Sequence, residues 1–255
     1  MNMSLQSVLD AVQGRVGYLR VSAPSPGEDG WWSCTALSPD RLVTVVDDGV
    51  AARGAAERQV VASLFAQSYA FKIGAVSLAA YAIGLPWPSP AASDTTVRLS
   101  PGRATGLYVE RPGLADPTDA RGLATALLGG HLRPFMASLR EATTIGDRLL
   151  RGNVAASCAA AFRAVEGAAR DRDDVGERAA VRRRAEAFFD LADWLDGAGC
   201  FERVEVDGTD GWFWTRTSCC LYYKVSSGAT CDDCSLIPAV ELAERRRTEL
   251  AGESR

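Results

Sequence analysis

Four cysteines near the C-terminus constrain this chain more than any other feature. Cys219, Cys220, Cys231 and Cys234 fall within sixteen consecutive residues of a sequence that has seven cysteines in 255 residues. Their spacing is C-C-x10-C-x2-C, with no histidine among them. Thiolates are soft ligands, so four of them without histidine suit either a zinc ion or an iron–sulfur cluster. The segment therefore predicts a metal centre, and a redox disulfide is the remaining alternative.

The adjacent pair Cys219-Cys220 discriminates between these alternatives better than the C-x2-C half does. A C-x2-C turn brings two sulfurs to one metal and fits zinc and iron–sulfur alike. Neighbouring side chains in an extended strand point to opposite faces, so two adjacent cysteines reach a single tetrahedral ion only through a sharp turn. A two-iron cluster spreads its terminal positions over a wider body. The spacing favours iron–sulfur and leaves structural zinc and a redox disulfide open.

Composition closes off several other kinds of chemistry. His131 is the only histidine, which excludes histidine-rich zinc and non-haem iron sites. The sequence contains neither G-x-G-x-x-G nor G-x-x-x-x-G-K-[ST], so it shows no nucleotide-binding loop of its own. The net charge of −4 gives no general basic field for a nucleic acid. A redox protein of this composition is expected to receive its electrons from a separate partner.

The N-terminal and apolar segments predict a soluble, cytoplasmic protein without a membrane span. Residues 1–16 lack a basic stretch followed by an apolar one, so no secretory signal is expected. The most apolar segment, residues 73–87, is interrupted by Gly84 and Pro86 and is shorter than the ~20 residues that cross a bilayer. An odd number of cysteines without an export signal also argues against a disulfide framework.

Hydrophobic periodicity predicts a helical body. Residues 4–16 have helical spacing with Ser4 as a plausible N-cap, and residues 55–84 suggest two helices broken around Gly74. Cys158 falls on the apolar face of a later helix and is expected to be a buried thiol. By contrast, the β-branched run at residues 42–46 suggests a strand.

Turn signals add β-hairpins to this body. One hairpin is predicted over residues 95–110, and a second over 201–217 leads directly into Cys219. We therefore expect an α+β fold with a mostly helical body, β-hairpins and a C-terminal cysteine-rich iron–sulfur motif. The domain prediction is a body over 1–208, with a sub-boundary near 86–94, and a C-terminal cluster-binding segment with a terminal helix over 209–255.

The cysteine motif resembles a known family. RTSCCLYY at residues 216–223, followed by CDDCSL at 231–236, looks like the C-terminal signature of the FhuF-type ferric-siderophore reductases, including its unusual spacing. A less specific second resemblance is LLRGNVAAS at residues 149–157, which is similar to a small-residue stretch upstream in those proteins. That family often has an aromatic residue before the Gly-Asn pair, where this chain has Arg151.

The resemblance implies a cytoplasmic oxidoreductase that takes Fe(III) bound by a siderophore, of the hydroxamate type, and returns it as Fe(II). It implies a [2Fe–2S] cluster on Cys219, Cys220, Cys231 and Cys234, and no catalytic residue beyond the cluster. The partners implied are the ferric siderophore and a separate ferredoxin-like or flavoprotein-like electron donor, with no nucleic acid and no membrane span.

Residues beside the cysteines are candidates for contact with the cluster or the substrate. They are Trp214, Arg216, Tyr222 and Lys224. Each of them has an equally ordinary interpretation as a structural side chain of a strand. Two other functions stay open at this stage. One is an iron–sulfur redox or iron sensor, and the other is a binding protein in which zinc only folds the C-terminal segment.

Overall fold

The computed structural model describes residues 3–19, 21, 29–53, 57–110, 113–225 and 229–253. Two long helices form its centre, α3 (Arg58–Ala82) and α6 (Asp147–Arg170), which pack against each other along their length. α3 is buried on nearly every side, with Phe65, Tyr69 and Ile73 fully covered. The other helices surround this pair, so the main hydrophobic core lies around α3.

The remaining helices cover the central pair. They are α1 (Leu5–Arg15), α2 (Pro39–Ala52), α4 (Ala120–Ala124), α5 (Arg133–Thr143), α7 (Val175–Phe189) and α8 (Ala239–Glu253). A π-helical segment, Thr125–Leu132, joins α4 to α5. Ser4 caps α1 as predicted, because its side chain accepts a hydrogen bond from the Ser7 amide at 3.1 Å.

Two local predictions for this region are wrong. Residues 42–46 lie in α2 and not in a strand, because the Ser38 side chain caps the helix and Pro39 starts it. α3 continues through Gly74 without a break. A side chain at Gly74 would crowd Leu127, whose Cδ2 lies 3.2 Å from the position of an added Cβ. The glycine therefore serves close packing and not helix termination.

α3 is also the one helix among the described residues that is long and apolar enough to cross a membrane by length and composition. Within its most apolar window, 72% of the residues are buried inside the protein. The core helix of a soluble protein passes the same test, so the span carries little weight as a membrane signal.

The described residues also form three small antiparallel sheets. β1 (Trp31–Ser33), β3 (Thr95–Ser100) and β4 (Arg103–Val109) form one sheet in the order β1-β3-β4. β2 (Trp87–Pro88) pairs with β5 (Leu114–Ala115), and β6 (Gly199–Val206) pairs with β7 (Thr209–Arg216). The predicted α+β class with a mostly helical body, β-hairpins and clustered C-terminal cysteines is confirmed.

The β6–β7 hairpin leads directly into the segment that carries the four clustered cysteines. Asp207 and Gly208 both have positive φ, 50° and 80°, which is the backbone of a tight two-residue hairpin turn. Trp212 and Trp214 point inward from β7, where Trp212 stacks on Phe201 at 3.9 Å between ring centroids and Trp214 lies 5.0 Å from Phe189. This aromatic packing fixes the end of β7 at Arg216, three residues before Cys219. The hairpin also spans residue 208, where the predicted domain division falls, and that division stays a prediction.

Candidate metal centre

All four clustered cysteines lie in one loop that follows β7, residues 217–237, called here the cysteine loop. Hydrogen bonds close its base: the Arg216 amide donates to the Asp233 carbonyl at 3.4 Å, and the Thr217 amide donates to the Ala198 carbonyl at 3.1 Å. Ile237 at the end of the loop and Leu242 of α8 form a small apolar cluster with Cys234. The loop is therefore held between the hairpin and the last helix.

Two of the four thiols are in direct contact, since Cys220 Sγ is 3.2 Å from Cys231 Sγ. Cys220 and Cys234 are buried, whereas Cys219 and Cys231 are half-buried. Burial raises the pKa of the Cys219 thiol, and the nearby Cys234 and Cys220 thiols act in the same direction. Leu221 follows Cys220 in the left-handed region, with a φ of 66°, and turns the chain there.

The electrostatics of Cys220 and Cys231 show two thiols that share a proton. The hydrogen bond with Cys231 lowers the pKa of Cys220 to about 6, and the nearby Arg216 guanidinium acts in the same direction. The same hydrogen bond, with burial, raises the pKa of Cys231. One thiol of the pair is therefore ready to ionise, and ligation of a metal requires both to do so.

The donor set is compatible with a two-iron cluster. Four soft thiols in one loop, without histidine, are the ligand type that iron–sulfur clusters take. Arg216 supplies a second sign of fit, because its Nε and one terminal nitrogen are buried without a hydrogen-bond partner. Sulfur atoms of a cluster are acceptors for such donors.

Arg216 itself is held by a buried polar network. One terminal nitrogen donates to Asn153 Oδ1 on α6, and Nε lies 3.7 Å from a carboxylate oxygen of Asp233. Asn153 Nδ2 in turn donates to both the carbonyl and the hydroxyl oxygen of Ser63 on α3, each at 2.9 Å. The Ser63 hydroxyl then donates to the Cys220 carbonyl at 2.7 Å. The network ties both central helices to the backbone of a cysteine.

A close approach accompanies the network. Gly152 faces the cysteine loop, and a Cβ added there would lie 1.9 Å from Ser218 Oγ. Glycine in a helix interior is unfavourable by about 1 kcal/mol relative to alanine, so its place in α6 is explained by this contact. The structure therefore brings together the two segments singled out in the sequence, residues 149–157 and the cysteine motif.

The predicted neighbours of the cysteines differ in their surroundings. Arg216 is buried at the site, as described above. Trp214 is buried among aromatic rings of the hairpin and α7, which supports its structural interpretation, although its indole nitrogen has no partner. Tyr222 is exposed on the surface of the loop. Lys224 forms an exposed ion pair with Glu57 at 2.9 Å.

Sequence reasoning did not identify Asn153 or Ser63 as residues of the site. Asn153 had a signal, since it follows Gly152 in the second stretch of resemblance. Ser63 had none, because it is one serine of an apolar helix and its partner Cys220 is 157 positions away. Both side chains are fully buried, and their hydrogen bonds to the site are visible only in three dimensions.

The three remaining cysteines take no part in this arrangement. Cys158 is buried as predicted, and burial raises the pKa of its thiol to about 12. Cys34 is buried beside the β1–β3 sheet, and Cys200 is exposed on β6. His131 is also distant from the cysteine loop: its ring lies between the Tyr69 hydroxyl, 2.7 Å away, and the Pro90 carbonyl, 2.6 Å away. Burial lowers the pKa of His131 to about 4.

A loop of four thiols, backed by a buried arginine, is the kind of site that iron–sulfur proteins have. Residues 216–236 match the family model described as the FhuF 2Fe-2S C-terminal domain. The resemblance to the FhuF-type family is confirmed over this segment, and its cofactor is a [2Fe–2S] cluster. A search of curated proteins and a search of solved structures each returned no match for the chain.

Proposed function

We propose that this chain is a cytoplasmic ferric-siderophore reductase, in which Cys219, Cys220, Cys231 and Cys234 hold a [2Fe–2S] cluster. The observation that carries the proposal is the family match over the cysteine loop, in which all four cysteines lie. A [2Fe–2S] cluster supplies one electron at a time, which is what reduction of Fe(III) to Fe(II) needs. Fe(III) is a hard, highly charged ion that oxygen chelators hold far more tightly than Fe(II), so the electron releases the metal and leaves the chelator intact.

The contact between two of the thiols supports an assignment of the ligands. Cys220 and Cys231 serve one iron, because their sulfurs are 3.2 Å apart, and Cys219 and Cys234 are left to serve the other. Each iron then takes one cysteine from the C-C half of the motif and one from the C-x2-C half. Cys219 and Cys231 are the more exposed of the four, so a substrate would reach the cluster most readily at these two ligands.

Arg216 supplies positive charge and hydrogen-bond donors to the centre, and Asn153 holds Arg216 in position. The guanidinium brings a permanent positive charge to a site that must hold four thiolates, and its Nη1, which is buried without a hydrogen-bond partner, is available as a donor to sulfur. Asn153 fixes the orientation of that guanidinium from α6. Ser63 holds the backbone at Cys220 in place, so the ligands keep their position when the charge of the centre changes.

Electrons come from a separate donor of the ferredoxin or flavoprotein class. The sequence has no dinucleotide-binding glycine motif and no P-loop to bind a reduced nucleotide directly. The chain therefore acts between two partners, the donor and the ferric chelate. Within it, residues 209–255 carry the cluster and residues 1–208 form the body that presents the chelate.

The visible spectrum of anaerobically purified protein tests this function. We expect charge-transfer bands that bleach with dithionite and recover when a ferric trishydroxamate or ferric dicitrate is added, with Fe(II) trapped in step. A colourless protein that contains about one zinc ion would refute the proposal. So would a reduced protein whose bands stay bleached with both chelates, since an iron or redox sensor has no need to reduce either.

A further inference from the structure

A groove opens between α5 and the first turns of α6. Its volume is about 340 Å³, and it is lined by Arg133, Met136, Arg140, Asp147, Arg151 and Trp194. That volume lies within the range of small-molecule pockets, roughly 300–1,000 Å³. The groove combines arginines at its edge with the apolar surfaces of a tryptophan and a methionine.

The groove and the cysteine loop are connected through the first turns of α6. On α6, Arg148 donates to the Thr217 carbonyl at 3.0 Å, and Gly152 abuts Ser218. Asp147 directly precedes Arg148 in α6, and Arg151 directly precedes Gly152. Both Asp147 and Arg151 line the groove. The wall of the groove and the support of the cysteine loop are therefore parts of the same two turns of α6.

The charge of the groove is positive, although the chain as a whole is acidic. Arg151 pairs with Asp147 at 3.0 Å, which balances those two charges. Arg133 and Arg140 are exposed, and neither has a carboxylate within ion-pair distance in the described part of the chain. The groove thus keeps two uncompensated guanidinium groups, and guanidinium recognises carboxylate through paired hydrogen bonds.

We infer that this groove binds the ferric chelate, and that the chelate is of an anionic carboxylate type. The inference rests on the proposed reductase function and departs from the hydroxamate class that the resemblance implies. Three hydroxamates neutralise Fe(III) and leave no charge for Arg133 and Arg140 to recognise. Two citrates leave a net charge of −3 and free carboxylates, which match the two guanidinium groups. The groove and the cysteine loop share two turns of α6, and this shared stretch would bring such a chelate to the side of the protein that carries the thiols.

Calorimetry with a redox-inert analogue tests binding apart from reduction. The holoprotein is titrated with gallium(III) dicitrate, with a neutral gallium(III) trishydroxamate and with citrate alone. We expect the dicitrate chelate to bind most tightly and to weaken as salt rises from 0.05 to 0.5 M. A charge of −3 at about 6 Å from one exposed arginine, screened by water and salt, corresponds to about a fivefold change in Kd. Arg133→Gln and Arg140→Gln are each expected to weaken dicitrate binding by about that factor.

Arg183 on α7 provides the matched control, because it is exposed and lies outside the groove. Arg183→Gln is expected to leave every Kd unchanged. The inference is overturned if the neutral chelate binds more tightly, if citrate alone equals its gallium chelate, or if both groove variants bind like the wild type. It is also overturned if those variants only slow reduction of the cluster by an acidic ferredoxin, since the groove would then receive the donor. Tight binding of gallium dicitrate without reduction of ferric dicitrate would refute the reductase proposal and leave the chelate-binding groove standing.

Discussion

Replacement of Asn153 by alanine is expected to destabilise the protein and loosen its metal centre together. The side chain is fully buried and makes three hydrogen bonds, one from the Arg216 guanidinium and two to Ser63. A bond to a charged donor contributes about 2 kcal/mol, and each neutral bond about 1 kcal/mol. The sum is about 4 kcal/mol, a large share of the roughly 5–15 kcal/mol by which domains are stable.

Two measurements read this effect. Urea unfolding gives the free energy of unfolding, where the midpoint should fall while the slope with denaturant stays the same. The decay of visible absorbance in the presence of an iron chelator gives the rate of cluster loss, which should rise. A double-mutant cycle with Arg216→Met should return a coupling of about 2 kcal/mol for the shared bond.

Ser157→Ala is the matched control for this change. Ser157 lies one turn further along α6 and donates a single neutral hydrogen bond to the Gln67 carbonyl at 3.0 Å. Its loss should cost about 1 kcal/mol and leave cluster loss at the wild-type rate. The reasoning is refuted if Asn153→Ala costs no more than Ser157→Ala, or if it leaves the cluster equally well retained.

Three further predictions concern Gly152, His131 and the cysteines. Gly152→Ala should lower the free energy of unfolding by about 1–3 kcal/mol and speed cluster loss, because its Cβ meets Ser218 Oγ. Ser218→Gly in the same chain should restore both properties. Persistence of the defect in the double variant would contradict this explanation. His131 has a pKa of about 4 in the folded state, below its ordinary 6.5, so the unfolded chain binds more protons between those values and stability falls as pH falls. The free energy of unfolding should be about 2 kcal/mol lower at pH 5 than at pH 7. His131→Gln should remove this part of the pH dependence. Cys220→Ser should abolish the cluster spectrum while Cys158→Ser preserves it, and bleaching by the latter would show that the ligands are wrongly assigned.

The sequence predicts correctly those features that are formed by residues close together along the chain. The β6–β7 hairpin was visible because its turn residues and flanking strands are contiguous, and Asp207-Gly208 adopts the positive φ values that such a turn requires. The cysteine motif was visible because spacing and residue type carry the chemistry of a soft-metal site. Burial of Cys158 followed from its position on an apolar helical face.

The errors have equally local causes. The β-branched run at residues 42–46 suggested a strand, but the cap at Ser38 and the proline after it decide for a helix. Gly74 suggests a break in the helix, whereas its role is to let Leu127 approach α3. Propensity describes a residue by itself, and in both cases a neighbouring residue determined the outcome.

The support of the metal centre lay beyond any local signal. Ser63 contacts Cys220 across 157 positions, and Asn153 contacts Arg216 across 63. Nothing in the composition of α3 distinguishes Ser63 from its neighbours. Such contacts depend on how α3 and α6 cross, which is a property of the packed core and not of either segment alone.

The order of these contacts along the chain has a consequence for biosynthesis. Ser63 and Asn153, which support the cysteine loop, both emerge from the ribosome before any of the four clustered thiols. The two central helices are therefore available to pack, and to present a receptor for the loop, while the thiols are still being translated. The residues that would receive the loop are thus made first, and the residues that would bind iron are made last.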